Sequence, residues 1–273
     1  MKAGRGCVIL AGASFRDGGQ GSSNVDTENS INWQKEASDT HLKFFKKLKN
    51  VNNIELDLAI STYNTEHIKK LIDWYSAEHQ LLNVNMRKNY HGLTNLLRTS
   101  YSQLDIKEQM YDFVLCLRID LILKDTFIEI FNPEWKEIRF PFAQAWSSQL
   151  EDNEFNFQKI GKFEPGYSYP HVCDTMVYIP IRFCKEEVQF NLVYNHRMWN
   201  QLISHHNFTY NELDVMVDTF HGPNSRNFQN PLYRMCGRDE QPNKNKTRGC
   251  YGEIFDKYKV PVGKFKDYHL YNK

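Results

Sequence analysis

The chain contains no CxxC pair. Its six cysteines, Cys7, Cys116, Cys173, Cys184, Cys236 and Cys250, are scattered through 273 residues, which argues against a zinc ribbon or a disulfide framework. Cys7, Cys116 and Cys173 fall inside apolar runs, where a free thiol behaves as a small hydrophobe. Long apolar runs are also missing. The first one, Cys7 to Ala13, is too short for a signal peptide or a membrane span. The expectation is a soluble protein of a reducing compartment, the cytoplasm, in which the sequons at Asn207 and Asn245 are chance matches. No charge of one sign dominates: the formal net charge is +1, so no strong field draws the chain to nucleic acid. No GxGxxG opens directly into a helix, which excludes a dinucleotide fingerprint. Repeats, linkers and clear domain boundaries are absent as well, so a single domain is expected.

What is present is apolar and alternating. A chain with 41% hydrophobic content can bury a sizeable core. Aromatics make up 14%, which suits a sugar-handling surface and an aromatic core equally. Cys7 to Ala11 reads as a buried strand, followed by Gly12-Ala13-Ser14-Phe15-Arg16-Asp17 and a polar, Gly-rich loop to Asn24. Trp33, Ala37, His41, Phe44 and Leu48 recur at helical spacing between Glu28 and Lys49. The basic run from Lys43 to Lys49 reads as the solvated face of that helix.

Ile54 to Tyr63 reads as a second strand. Thr65 is the expected cap of a helix bearing Ile68, Leu71, Ile72 and Tyr75. Leu81 to Met86 is a third strand, and a further helix starts near Gly92 with Leu93, Leu96, Leu97, Tyr101 and Leu104 on one stripe. The run from Tyr111 to Leu121 is the fourth strand. Alternation puts Val114, Cys116, Arg118 and Asp120 on one face and Phe113, Leu115, Leu117 and Ile119 on the other. The β-α-β-α-β-α-β order predicts an α/β fold with a mostly parallel sheet flanked by helices.

The second half is looser. A short helix from Asp125 to Phe131 is expected, then a strand from Glu137 to Trp146, a polar loop to Ser168 and an apolar strand from His171 to Pro180 interrupted by Asp174. Arg182 to Ile203 reads as helical. Thr209-Tyr210-Asn211-Glu212 has the form of a capping box, so a helix with Leu213, Met216, Val217 and Phe220 inward is expected. From His221 to Gly249 the composition suggests a long flap.

The candidate chemistry gathers at strand ends. Arg118 and Asp120 close an apolar strand at the end where ligands sit in open α/β sheets. They read either as an ion pair holding a loop, or as a site in which Asp120 binds a divalent metal and Arg118 a phosphate or ribose. Gly12, Ala13, Ser14 and Arg16 lie at the mouth of the first strand, where a base and ribose would be cradled. Asn95 and Arg98 lie one turn apart on the preceding helix, with Arg98 able to reach a nucleotide. Asp174 is a candidate general base or a hydrogen-bond hub. Asp214, Asp218 and His221 share one face of their expected helix and offer a base, a second metal ligand or merely a solvated face. Arg226, Arg234 and Arg238 in the flap suit diphosphate clamping.

Gly92-Leu93-Thr94-Asn95-Leu96-Leu97-Arg98 followed by Leu117-Arg118-Ile119-Asp120 resembles the N-x-x-R … R-x-D pattern of nucleotide-sugar glycosyltransferases of the GT-A fold. These include lipopolysaccharide-synthesis proteins of the WavE type and the small soluble glycosyltransferases of large algal DNA viruses (chloroviruses). The likeness covers roughly residues 90–125. It implies transfer of a sugar from a nucleotide diphosphate donor, a UDP-sugar (UDP-xylose from the algal-virus resemblance), to a hydroxyl of a glycan or glycoprotein acceptor. It also implies Mn²⁺ or Mg²⁺, and, for a virus, the host cytoplasm. Residues 1–125 would then be the donor-binding half, and 126–273 the acceptor-binding and catalytic half. In the family both positions of D-x-D bind metal and donor; here Arg118 replaces the first, so Asp120 alone carries over. An inverting enzyme needs a carboxylate base, Asp174 before Asp214 or Asp218, whereas a retaining one needs none. The competing readings are a sugar-phosphate nucleotidyltransferase, for which the Lys expected after the first strand is missing, and a non-catalytic nucleotide- or glycan-binding module.

Overall fold

The computed structural model describes residues 4–17, 24, 25, 27–77, 79, 81–87, 96, 97, 100, 104, 106, 110–144, 150, 151, 154, 155, 171–173, 175–184, 208, 212–217, 220, 221 and 230–236. In the first half, strands β1 (Gly4–Ala11), β4 (Ile54–Tyr63), β5 (Leu81–Arg87) and β6 (Phe113–Arg118) are all parallel, in the order β6-β1-β4-β5. Between β1 and β4 come the short paired strands β2 (Arg16–Asp17) and β3 (Asn24–Val25) and the long helix α1 (Glu28–Asn52). The sheet continues past β6 with β13 (Met176–Pro180), antiparallel to both neighbours, then β8 (Ile138–Phe140) and β14 (Leu213–Val215). One seven-stranded, mostly parallel sheet therefore runs through both halves of the chain.

The parallel strands are apolar on both faces because both are covered. Val8, Leu10, Leu58, Ile60, Leu115 and Leu117 pack with Phe44, Phe45 and Leu48 of α1 and with Leu71 and Tyr75 of α2 (Ile68–Ser76). Ile9, Ala59, Val114 and Cys116 face Leu96 and Leu97 on the other side. β1 and β6 approach closely. A Cβ on Gly6 would stand 2.4 Å from the Phe113 ring, so any side chain there would push the two strands apart.

Local signals account for α1. Thr27 caps it by accepting from the Ser30 amide at 3.1 Å, and Asn53 ends it in the left-handed conformation that Asn tolerates (φ 54°). Its lysines are not a purely solvated face. Lys43 pairs with Asp125 at 2.6 Å and Lys47 reaches the Ile128 carbonyl, so both hold α3 (Asp125–Ile130). Phe44 adds edge-on contacts to Phe127 and Phe131 at ring separations of 5.0 and 4.9 Å. At α2 the expected cap is corrected: Thr65 gives its carbonyl to the Ile68 amide, and the capping position is His67, with no side-chain cap bond.

In the second half, nonlocal pairing overrides local signals. The expected helix after Thr209 is instead β14, with Leu213 and Val215 buried and Asp214 between them, followed by β15 (Phe220–His221). Period-two burial and an open ladder on β8 outcompete the capping-box pattern, which is a local preference only. The expected strand from Glu137 to Trp146 divides at Pro141, which cannot donate to a ladder. Its two parts are β8 and β9 (Ala143–Gln144), and β9 joins β12 (His171–Val172) and β15 in a separate three-stranded sheet. Where a helix was expected from Arg182, the described part is a single 3₁₀ turn, Ile181–Phe183. Within the expected flap, Tyr233–Met235 forms strand β16, antiparallel to β7 (Leu121–Leu123). Among the described residues no helix is long and apolar enough to cross a membrane.

Candidate functional site

The chain leaves β1 toward β4 and β5 on one side and returns to the other side of β1 as β6. Strand order thus reverses between β1 and β6, and in open α/β sheets the crevice above such a reversal, at the carboxyl ends, is where ligands bind. Ala11 is the register partner of Arg118 across this point, and the Ile119 amide donates to the Ala11 carbonyl at 2.9 Å. The topology therefore brings two groups of candidates together: Gly12, Ala13, Ser14 and Arg16 on one side, Arg118 and Asp120 on the other.

The loop after β1 is held in an unusual shape. Gly12 has φ 134° and Phe15 has φ 52°, conformations that are open to Gly and costly for Phe. The Gly12 amide donates to the Ser61 carbonyl, and the Ser14 amide and hydroxyl both engage Thr62 Oγ1, at 3.2 and 2.9 Å. Ser14 is buried and its hydroxyl is spent on the fold. Phe15 is buried against Trp74 and His67. Gln34 of α1 completes the arrangement: its Oε1 accepts from the Phe15 amide at 3.1 Å, and its Nε2 donates to the Ile119 carbonyl at 3.0 Å. One side-chain amide thus ties the two walls of the crevice together.

On the β6 side, Arg118 Nε and Nη2 donate to the two oxygens of Asp120 at 2.8 and 2.5 Å. This is the fork geometry that makes Arg–carboxylate pairs directional. Arg118 is 13% exposed and Asp120 only 1%. The backbone here is fixed from two directions: the Arg118 amide donates to the Thr175 carbonyl at 3.0 Å, and the Asp120 carbonyl accepts from the Cys236 amide at 3.0 Å. Beneath lies His41, fully buried, with Nδ1 2.7 Å from the Tyr75 hydroxyl. Burial lowers its pKa to about 4, against the opposite pulls of the Leu121 backbone and the Asp120 carboxylate. It is neutral at physiological pH. Burial also raises the Cys236 thiol well above its ordinary value, and the nearby Asp120 and Glu36 raise it further.

Asp174, Asn95, Arg98, Asp218, Arg226 and Arg238 lie outside the described residues, as does the side chain of His221. The two neighbours of Asp174 are placed, however. Cys173 donates its amide to the Phe142 carbonyl, Thr175 Oγ1 donates to the Tyr233 hydroxyl at 2.8 Å, and Cys173 Sγ is 3.1 Å from each of those two hydroxyls. Together with the Thr175 carbonyl on Arg118, this knots the segment between β12 and β13 to the mouth of β6.

Two candidates are placed elsewhere. Asp214 is on β14, three strands from β6, and pairs with Arg139 at 2.9 Å. Arg234 is on β16 and pairs with Glu36 of α1, so its guanidinium stitches β16 to that helix. Gln34, Thr62, His41 and Tyr233 were not expected. The first and third had a signal: Ser30, Gln34, Ser38 and His41 form a polar line along the buried side of α1.

The fit of a metal can be judged at Asp120. Both of its oxygens are already engaged by the Arg118 fork, and the carboxylate is almost wholly buried. Among the described residues no three His, Cys, Asp or Glu side chains come together as a metal site. A dication on Asp120 would have to share that carboxylate with a guanidinium of like sign. The arrangement is a poor fit to Mn²⁺ or Mg²⁺.

No family model and no curated protein matches the sequence. The fold is distantly similar to solved structures. A protein assigned as a nucleotide-diphospho-sugar transferase from Desulfovibrio desulfuricans G20 is 8% identical, with 94% of this chain and 96% of that chain covered and a TM-score of 0.44. The inositol-1-phosphate CTP transferase from T. maritima is 12% identical over 96% and 99%, with a TM-score of 0.47. The galactosyltransferase LgtC, solved with donor and acceptor sugar analogues, is 10% identical over 94% and 95%, with a TM-score of 0.39. Likeness at this distance leaves the function to be read from the chain's own residues.

Proposed function

We propose that this protein is a glycosyltransferase that binds a nucleotide-sugar between the ends of β1 and β6 and passes the sugar to a hydroxyl of a glycan or glycoprotein. One observation carries the reading: the strand order reverses at the place where a buried, forked Arg–Asp pair closes β6. The loop from Gly12 to Arg16 forms the opposite wall and receives the base and ribose. A uridine diphosphate donor, and a pentose within that class, follow from the resemblance in the sequence.

In the transfer, the acceptor oxygen bonds to the anomeric carbon as the bond from that carbon to the diphosphate oxygen breaks. The nucleoside diphosphate leaves with the electron pair. The acceptor proton goes to a carboxylate base if the configuration inverts. Asp174 is the candidate for that base because its neighbours are bonded to Arg118 and Tyr233. The chain's own part is to hold the diphosphate at the β6 mouth and keep the crevice walls in register.

Thermal shift and calorimetry over nucleotide-sugars and nucleoside diphosphates, followed by mass detection of transferred sugar, test the reading. Binding of a nucleoside diphosphate together with glycoside formation supports it. Release of pyrophosphate from a nucleoside triphosphate and a sugar phosphate would instead establish a nucleotidyltransferase. Binding without turnover of any donor would leave a recognition module.

A further inference from the structure

We infer that the crevice takes its nucleoside diphosphate without a divalent cation, the Arg118 guanidinium, aimed by Asp120, being the positive group that meets the phosphates. This rests on the proposed function, since it concerns how that donor is held.

Three features of the described site point this way. First, the carboxylate best placed for a metal is committed: Nε and Nη2 of Arg118 lie on its two oxygens. Second, exposure falls on the right partner. Asp120 is 1% exposed and Arg118 13%, so what the pair presents at the strand mouth is guanidinium rather than carboxylate. A metal-binding mouth would need the reverse. Third, the pair spans only two residues of one chain end, and the Arg118 and Asp120 backbones are independently tied to Thr175 and Cys236. The backbone of both residues is thus held on its own account, and the fork fixes the direction of the guanidinium. A planar donor held at one orientation suits phosphate oxygens better than a mobile ammonium does.

The experiment is calorimetric titration of the full chain with UDP, CDP, GDP and ADP, first in EDTA and then with Mn²⁺ in excess. The expected result is one preferred nucleotide whose affinity in EDTA matches that in Mn²⁺. Affinity lost in EDTA and restored by Mn²⁺ would overturn the inference and leave the glycosyltransferase reading standing. No binding of any nucleotide in either condition would remove both. In EDTA, Arg118→Gln should weaken the preferred nucleotide about a hundredfold or more, as expected from the loss of two charge-assisted hydrogen bonds. Because that change also releases Asp120, Mn²⁺ should now strengthen binding in the variant. Unchanged affinity in Arg118→Gln would sink the role of the guanidinium. Should that variant fail to fold, Arg118→Lys keeps the charge but loses the fork, and the same comparison in EDTA should show a smaller loss.

Discussion

Two Arg–Asp pairs sit at opposite ends of the same sheet. Arg5 Nη2 meets Asp57 at 2.6 Å near the strand starts, and Arg118 meets Asp120 at the strand ends. In both, the carboxylate is buried. The lower pair joins β1 to β4, its aspartate also accepts from the Tyr111 hydroxyl at 2.9 Å, and Arg5 stacks over that ring at 5.5 Å. Three separate segments meet there, and Arg5 itself is 44% exposed. The upper pair joins residues two apart. The lower pair is a fastener; on the proposed reading the upper one orients a donor group at the point where strand order reverses.

The sharpest way to break this comparison is to replace each pair with apolar residues. Arg118→Met with Asp120→Leu removes both charges together, so stability should stay within about 1 kcal/mol, because a paired charge in the interior contributes little net. Nucleotide affinity should fall about a hundredfold or more, equivalent to about 3 kcal/mol. Urea unfolding and calorimetry on the same preparation decide the point. Retained affinity would reduce the upper pair to a second fastener.

Acid should separate the two ends next. His41, under the upper pair, has a folded pKa of about 4 against about 6.5 unfolded. The unfolded chain therefore binds more protons between those values, and stability falls as pH drops through that window, by about 3 kcal/mol in all. A His41→Phe variant should show a flatter stability profile between pH 6.5 and 4 in thermal melts. An unchanged slope would show that another group carries the acid sensitivity.

The upper end was legible in the sequence where its signals are local. The runs of β1 and β6 are continuously apolar, as strands covered on both faces read, and Arg118 and Asp120 fall on one face by simple period two. Their mutual fork was one of the two readings open at that stage. What stayed hidden depends on partners far along the chain. β14 exists because β8 offers it a ladder, and β16 because β7 does; neither shows in its own few residues. Gln34 was concealed for a different reason. A polar side chain on a buried helix face looks like a blemish until the two backbone groups it serves, from residues 15 and 119, are known to meet.

At the lower end the expected effect is on stability alone. Arg5→Met strands a buried carboxylate that keeps its Tyr111 hydroxyl. The loss should be about 2 kcal/mol, below the range for wholly buried pairs because Arg5 is half in water. Affinity for the preferred nucleotide should not change. A matching loss of affinity would mean that strain at the strand starts reaches the crevice, and the two ends would no longer be independent.

The smallest effect concerns the knot around Asp174. Tyr233→Phe removes one hydroxyl from the buried cluster with Cys173 and Thr175, at a cost of about 1 kcal/mol for a single hydrogen bond. The ring still fills its place against Phe142, 6.0 Å away, so the fold and the β6 mouth should persist. If the knot serves only stability, the melting temperature falls slightly and transfer is untouched. If it sets the position of the Asp174 carboxylate, kcat falls while nucleotide affinity holds, and the drop is larger than the stability loss explains. Equal falls in kcat and nucleotide affinity would place Tyr233 with the donor-binding wall instead. The distinction matters because Tyr233 and Cys236 reach the site from one short segment: the first bonds Thr175 beside Asp174, the second the backbone of Asp120. A selective loss of turnover in Tyr233→Phe would make β16 the element that holds base and donor group at a fixed spacing.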